Sequence, residues 1–349
     1  MGLPGEITLI RPDDWHLHVR DGEMLRAVVP YTASQFARAI IMPNLLPPVT
    51  TPEEARAYQQ RILDAVPPGI DFEPLMVAYL TDDTTPEDIF RGHREGVFTA
   101  VKLYPSGATT NSASGVSDIA KVRAVLDCMQ DIGLPLLVHG EVTDTDIDIF
   151  DRETVFIERT LAPLVETFPR LKVVLEHVTT EQAVEFVFSA SENVGATITV
   201  HHLMINRNAL FQGGMRPHMY CLPVAKREGH RLALRRAATS GSQKFFLGTD
   251  SAPHPQSAKE ADCGCAGIFS APTALELYAQ VFAEEQRLDN LEKFASINGP
   301  AFYGLPVNKG KITLIRENTE TPKVIRTSDG TKVIPFLAGE TLPYRVQSG

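Results

Sequence analysis

Six positions carry donors that could share metal ions: His16, His18, Lys102, His139, His177 and Asp250. His16 and His18 stand two apart, so on a strand they share one face, roughly 6–7 Å from each other. His139 ends the run PLLVH, His177 ends LKVVLEH, and Asp250 follows KFFLGT. A polar residue ending so apolar a run is costly to bury unless something satisfies it. A lone histidine there is more often a hydrogen-bonded structural residue than a ligand, and an HxH pair arises easily by chance. Four imidazoles and a carboxylate converging on one place outweigh that bland reading, because neutral imidazole with carboxylate suits Zn²⁺. Lys102 lies inside AVKLYP. As an ammonium it would be repelled by neighbouring cations, and with a reference pKa near 10.4 its free amine is scarce at neutral pH. Carboxylation of Nζ by CO₂ would turn it into a bridging oxygen ligand. The plainer alternatives are an anion-binding lysine, or one whose head snorkels to solvent.

The elements needed to gather these residues follow from the pattern of the chain. Eight short apolar runs read as strands: Trp15–Arg20, Ala39–Pro43, Leu75–Leu80, Ala100–Tyr104, Leu134–His139, Lys172–His177, Ala196–His201 and Phe245–Thr249. Helix-like stretches alternate with them, among them 52–65, 116–132, 152–168, 180–191 and 229–240, with 271–287 as a closing helix. Strands alternating with helices indicate parallel β/α units, and nearly all-apolar strands indicate sheet faces covered on both sides. Eight units suit a closed (β/α)₈ TIM barrel, whose C-terminal strand ends meet at one mouth. A doubly wound open sheet is the alternative, but no Gly-x-Gly-x-x-Gly follows an early strand. The barrel spans roughly 10–300. Beyond Pro306, short strands at 311–315, 323–326 and 332–336, with Asp329-Gly330 as a turn, read as a C-terminal appendage over 306–349 packed on the barrel. The whole of 1–349 is expected to act as one hydrolase domain.

The 349 residues carry a formal net charge of −10, which disfavours a nucleic-acid partner. No apolar run approaches a membrane span. The start MGLPGEITLI has no export pattern, and Glu6 stands where a myristoylated Met-Gly terminus needs Ser or Thr. A cytoplasmic home is expected. The four cysteines (Cys128, Cys221, Cys263 and Cys265) are scattered and read as reduced thiols.

The run Asp13–Gly22 (DDWHLHVRDG) resembles the dihydroorotase family of the amidohydrolase superfamily. The resemblance continues through Met42-Pro43-Asn44, Lys102–Pro105, Leu137–Glu141, Glu176-His177, Gly248–His254, Cys263–Gly267, Asn298–Gly304 and Pro335–Glu340. It covers nearly the whole chain and is closest to the compact bacterial single-function type. It implies a zinc-dependent, reversible conversion of (S)-dihydroorotate to N-carbamoyl-L-aspartate, a step of pyrimidine biosynthesis. One divalent cation would be held by His16, His18, Asp250 and N6-carboxylated Lys102, the other by Lys102, His139 and His177. A hydroxide between them would attack the ring amide carbonyl, with Asp250 as base and then acid.

The resemblance also implies a substrate-binding set. Arg20, two residues past His18 on the same strand face, offers a planar fork to the substrate carboxylate, joined by Asn44 and His254. His18, His139, and backbone atoms near Leu222 and Ala266 complete the contacts. These groups would supply the local positive charge that an acidic chain needs for an anionic substrate. Pro105–Gly115 reads first as a solvated loop; the resemblance makes it a lid carrying Thr109 and Thr110. A homodimer is implied in the same way. His201 and His202 close the seventh strand and are assigned no role beyond a supporting or structural one, and His93, His218 and His230 fall outside strand ends. The rivals are another cyclic-amide hydrolase of the hydantoinase or dihydropyrimidinase type, and a silent barrel acting as a scaffold.

Overall fold

A computed structural model describes residues 5–347; the Met1-Gly2 start weighed above for myristoylation lies outside them. Eight parallel strands run in chain order: β2 (Asp13–Leu17), β3 (Arg38–Ile41), β4 (Glu73–Leu80), β5 (Phe98–Leu103), β6 (Leu136–Val138), β7 (Val173–Leu175), β8 (Val194–Ile198) and β9 (Phe245–Leu247). They are preceded by β1 (Glu6–Ile10). The ring closes just past the ends of β9 and β2. Leu17 bridges Ser251 in parallel, the Asp250 N–H donates to His16 O at 2.8 Å, and the His18 N–H donates to Ser251 O at 3.1 Å. This is the expected (β/α)₈ barrel.

Strand alternation divides the core. Trp15, Ile40, Val77, Ala100, Leu137, Val174 and Phe246 pack inside the barrel, while Val101, Leu103, Val138, Val173 and Leu175 face the surrounding helices. The floor is sealed by the Asn298–Tyr303 helix, where Tyr303 stacks on Trp15 at 4.4 Å between ring centres. Gly299 is needed at that contact, since a Cβ there would lie 1.9 Å from Trp15 Nε1. With the bottom plugged, the barrel opens only at its C-terminal mouth.

The appendage differs from expectation in its pairing and in the length of its strands. β1 was not anticipated; it pairs antiparallel with β10 (Lys311–Ile315), so the N-terminal segment is woven into the C-terminal one. The Asp329-Gly330 turn does join a hairpin, Ile325–Arg326 against Lys332–Val333, shorter than expected. No helix among the described residues is long and apolar enough to cross a membrane.

Candidate active site

Inward alternation carries the chemistry upward from the core layer. Two residues past Ala100, Leu137 and Val174 on the same face stand Lys102, His139 and Glu176; two and four past Phe246 stand Gly248 and Asp250. Gly248 leaves room for its neighbours: a Cβ there would come within 2.7 Å of the Thr197 side chain and 3.1 Å of His16 Cβ.

The first strand reaches the site differently from the sequence reading. Trp15–Arg20 is not a continuous strand. β2 stops at Leu17 after a register shift between Asp14 and Leu17 that sets one extra residue against β3, and His18 and Arg20 lie beyond it. Their side chains still enter the mouth, but irregular backbone puts them there. Arg20, His177 and Asp250 all have positive φ (59°, 41° and 42°). For non-glycine residues this costs on the order of 1–3 kcal/mol each, and such strain persists only where the surroundings impose it.

His16, His18 and Asp250 offer three ligand atoms within 4.8 Å of one another. His16 Nε2 lies 3.3 Å from His18 Nε2 and 3.4 Å from Asp250 Oδ1, which is 3.1 Å from His18 Nε2. His177 joins the group, its ring centre 4.9 Å from that of His16 and 4.9 Å from that of His139. Each orienting contact leaves one nitrogen for the centre. His16 Nδ1–H donates to Glu176 Oε2 at 2.8 Å, His18 Nδ1–H to Asn44 Oδ1 at 2.9 Å, and His139 Nε2–H to Glu141 Oε2 at 2.8 Å. Partners of this kind fix imidazole tautomers around metals.

Electrostatics agree with a donor set built for cations. Burial holds the His18 imidazole down at about 4 and that of His177 well below its ordinary range, so both stay neutral. Burial opposes ionisation of Asp250, but the His18 hydrogen bond and the His16 and His177 imidazoles outweigh it and keep its carboxyl well below the usual range. Lys102 is fully buried, and its Nζ has no hydrogen-bond partner among the described residues. Burial brings its amine down to about 8, against the raising pull of Glu176 and Asp250. An amine so placed is both unsatisfied and partly deprotonated at neutral pH, the state that CO₂ addition requires. These residues fit a pair of divalent cations.

Above them lies a cavity bounded by His18, Arg20, Asn44, Thr109, Thr110, His139, His177, Leu222, Asp250 and Ala266, among others. Arg20 spends Nε–H on Pro253 O at 3.0 Å and one Nη2–H on His254 Nε2 at 2.9 Å. His254 is thus held against that guanidinium, and burial, then Arg20, hold it neutral with a pKa of about 3. The Pro105–Gly115 loop is already closed over the mouth. Asn44 Nδ2 donates to Thr110 O at 3.0 Å, and Thr110 Oγ1 donates to Ala266 O at 3.3 Å.

Several residues escaped the sequence reading. Glu176 and Glu141 orient the imidazoles of His16 and His139, Thr197 holds Glu176 and the His177 backbone N–H, and Asp14 ties β2 to β9 through Thr249 (2.6 and 2.9 Å). Alternation in LKVVLEH was the available signal for Glu176, which shares the inward face of Val174. His201 and His202 do not close the seventh strand. β8 ends at Ile198, and Thr199 caps a short helix, Val200–Met204, that carries both. The Thr199 hydroxyl accepts the His202 N–H at 3.2 Å, a helix-start signature that overrides the apolar run.

Residues 3–317 match the model of the Amidohydrolase family. The chain is 63% identical, over 99% of both sequences, to a relative from Synechococcus sp. (strain CC9902) named dihydroorotase. This chain belongs to the dihydroorotase family. Its structure superposes on the dihydroorotase of Campylobacter jejuni with a TM-score of 0.91 at 38% identity, covering 100% of this chain and 99% of that one. The dihydroorotase of Saccharomyces cerevisiae, solved in complex with 5-fluoroorotic acid, gives 0.91 at 35% identity over 99% of each. The match thus spans the barrel and the appendage together.

Proposed function

We propose that this chain interconverts (S)-dihydroorotate and N-carbamoyl-L-aspartate in pyrimidine biosynthesis, with His16, His18, Lys102, His139, His177 and Asp250 holding two divalent cations. The observation that carries this reading is that one cavity is bounded both by buried, neutral imidazoles beside an ionised carboxylate and by an arginine fork. Lys102, carboxylated at Nζ, would contribute to both cation sites. Bound there, the cations, zinc by donor preference, would acidify water and polarise the carbonyl under attack.

The remaining chemistry belongs to the chain. Asp250 is ionised and can take a proton from the attacking water and pass it to the leaving ring nitrogen, or reverse both steps in ring closure. Arg20 has three of its five N–H donors left after Pro253 and His254 are served, enough for a bidentate hold on the ring carboxylate. Asn44 has one amide N–H remaining, since Oδ1 serves His18 and the other N–H serves Thr110. Thr109 and Thr110 cover the mouth and exclude water. The yeast relative's complex with 5-fluoroorotic acid supports a ring bearing a carboxylate as the ligand. A cytoplasmic homodimer belongs to the same reading.

The deciding assay sets dihydroorotate beside hydantoin, before and after chelation. Turnover of dihydroorotate alone, lost with the metal and restored by zinc, is expected. Equal turnover of hydantoin, or activity indifferent to chelation, overturns the reading.

A further inference from the structure

Among the described residues, one other group of donors is close enough to share a cation: His201, His202 and Cys221, whose ligand atoms all lie within 4.8 Å of one another. All three are buried, at 0%, 2% and 1% exposure. Cys221 Sγ stands 3.4 Å from His202 Nε2. With Zn–S near 2.3 Å and Zn–N near 2.0–2.1 Å, a tetrahedral S–N edge is roughly 3.5 Å. The spacing therefore fits a shared ion as well as it fits a weak thiol contact.

The two histidines differ in how they are satisfied. His202 is engaged on both sides, with Nδ1 2.8 Å from Thr199 Oγ1 and Nε2 2.9 Å from Pro223 O. His201 has neither ring nitrogen paired among the described residues, and both are buried. Buried polar atoms are paired in the great majority of native structures, and an orphan forfeits its hydration with nothing in return. Burial keeps His201 neutral, at about 4, and His202 lower than its ordinary range, so no proton competes for their lone pairs at neutral pH. A hydrogen-bonded core cluster would account for His202 and Cys221, but it leaves His201 unexplained.

We propose that His201, His202 and Cys221 bind a further divalent cation, zinc in character, which fastens the Thr199–His202 turn to the Cys221–Pro223 segment that presents Leu222 to the cavity. On binding, the Cys221 thiol releases one proton and becomes the thiolate ligand. His202 shifts to the tautomer protonated on Nδ1, which donates to Thr199 Oγ1, and Nε2 is freed for the metal. Pro223 O gives up its Nε2–H donor and can turn to the ion as a fourth ligand. The site shares no residue with the six-residue centre, so it stands or falls independently of the reaction proposed above.

The test uses the full chain carrying Cys263→Ser and Cys265→Ser, produced in cobalt-supplemented medium so that metal enters during folding. The six-residue centre has only nitrogen and oxygen donors, so a thiolate-to-cobalt charge-transfer band in the near ultraviolet reports sulfur ligation alone. The band is expected in this parent protein, with cobalt content falling by about one equivalent and the band vanishing in Cys221→Ser and in His201→Gln. X-ray absorption of the parent, which needs no ligand variant to fold, should show one sulfur at about 2.3 Å averaged over the bound cobalt. Absence of the band in the parent, or its survival in Cys221→Ser, overturns the proposal.

Discussion

His16 and Glu176 are joined across the barrel by a 2.8 Å contact from Nδ1 to Oε2, and the same carboxylate oxygen accepts the Thr197 hydroxyl at 2.5 Å. The pair turns His16 Nε2 toward Asp250 and His18, which fixes where a cation can sit. Removing an orienting carboxylate of this kind typically costs 10–100-fold in metal affinity. Glu176→Gln should therefore lose cation to a competing chelator about 10–100-fold more readily, and kcat should fall with occupancy. Unchanged retention would show that His16 is held by packing alone.

In the proposed reading, Arg20 is the residue that decides between substrates. Each hydrogen bond to a charged group is worth about 1.5–3 kcal/mol, so truncating the fork should cost kcat/KM on dihydroorotate at least about 100-fold. Hydantoin lacks the ring carboxylate, and any residual activity on it should be unaffected by Arg20→Ala. A parallel loss on both rings would mean that Arg20 serves the backbone turn it occupies at φ 59° rather than the ligand.

Much of this site was legible because alternation from an apolar core layer is a rule that sequence obeys. Lys102, His139 and Asp250 each follow an inward residue by an even number of positions, so naming the strands placed them at the mouth. What could not be read is backbone that breaks the rule. Arg20, His177 and Asp250 adopt positive φ without being glycine; Asp and His enter that region more readily than most residues, but so few of them do that residue type alone does not mark these positions. Tertiary hydrogen bonds impose it, such as Asp250 N to His16 O and His177 N to Thr197 Oγ1 at 2.7 Å. The same holds for β1, whose partner β10 lies some 300 residues downstream. His201 failed for a different reason: the run ATITV continues the apolar pattern past the point where Thr199 starts a helix.

The closed lid makes a prediction separate from the metal. Thr110 reaches Ala266 through its hydroxyl, while its carbonyl is held by Asn44. Replacing Thr109 and Thr110 together by alanine removes both hydroxyls and leaves that backbone hold intact. At about 0.5–1.5 kcal/mol per neutral hydrogen bond, the double variant should lose roughly 10- to 100-fold in kcat/KM. Metal content and Tm should not move. Full activity in the double variant would exclude any part for these hydroxyls in the reaction.

Glu276 sets a pH dependence remote from the chemistry. It is 6% exposed, it accepts the Val346 N–H through Oε1 at 3.1 Å, and its Oε2 has no partner among the described residues. Burial pushes its carboxyl up to about 7 from 4.5, so between those values the folded chain binds the proton more tightly than the unfolded chain does. The stability this contributes is fully present below about 4.5 and is lost as pH rises through about 7. Glu276→Gln keeps the acceptor for Val346 and carries no charge. Because each tenfold change in proton affinity is worth about 1.36 kcal/mol, the variant should be about 1–3 kcal/mol more stable than the parent at pH 8, with the advantage vanishing near pH 4.5. Thermal melts of both proteins across that range read the difference directly, and parallel Tm profiles would place the buried proton elsewhere.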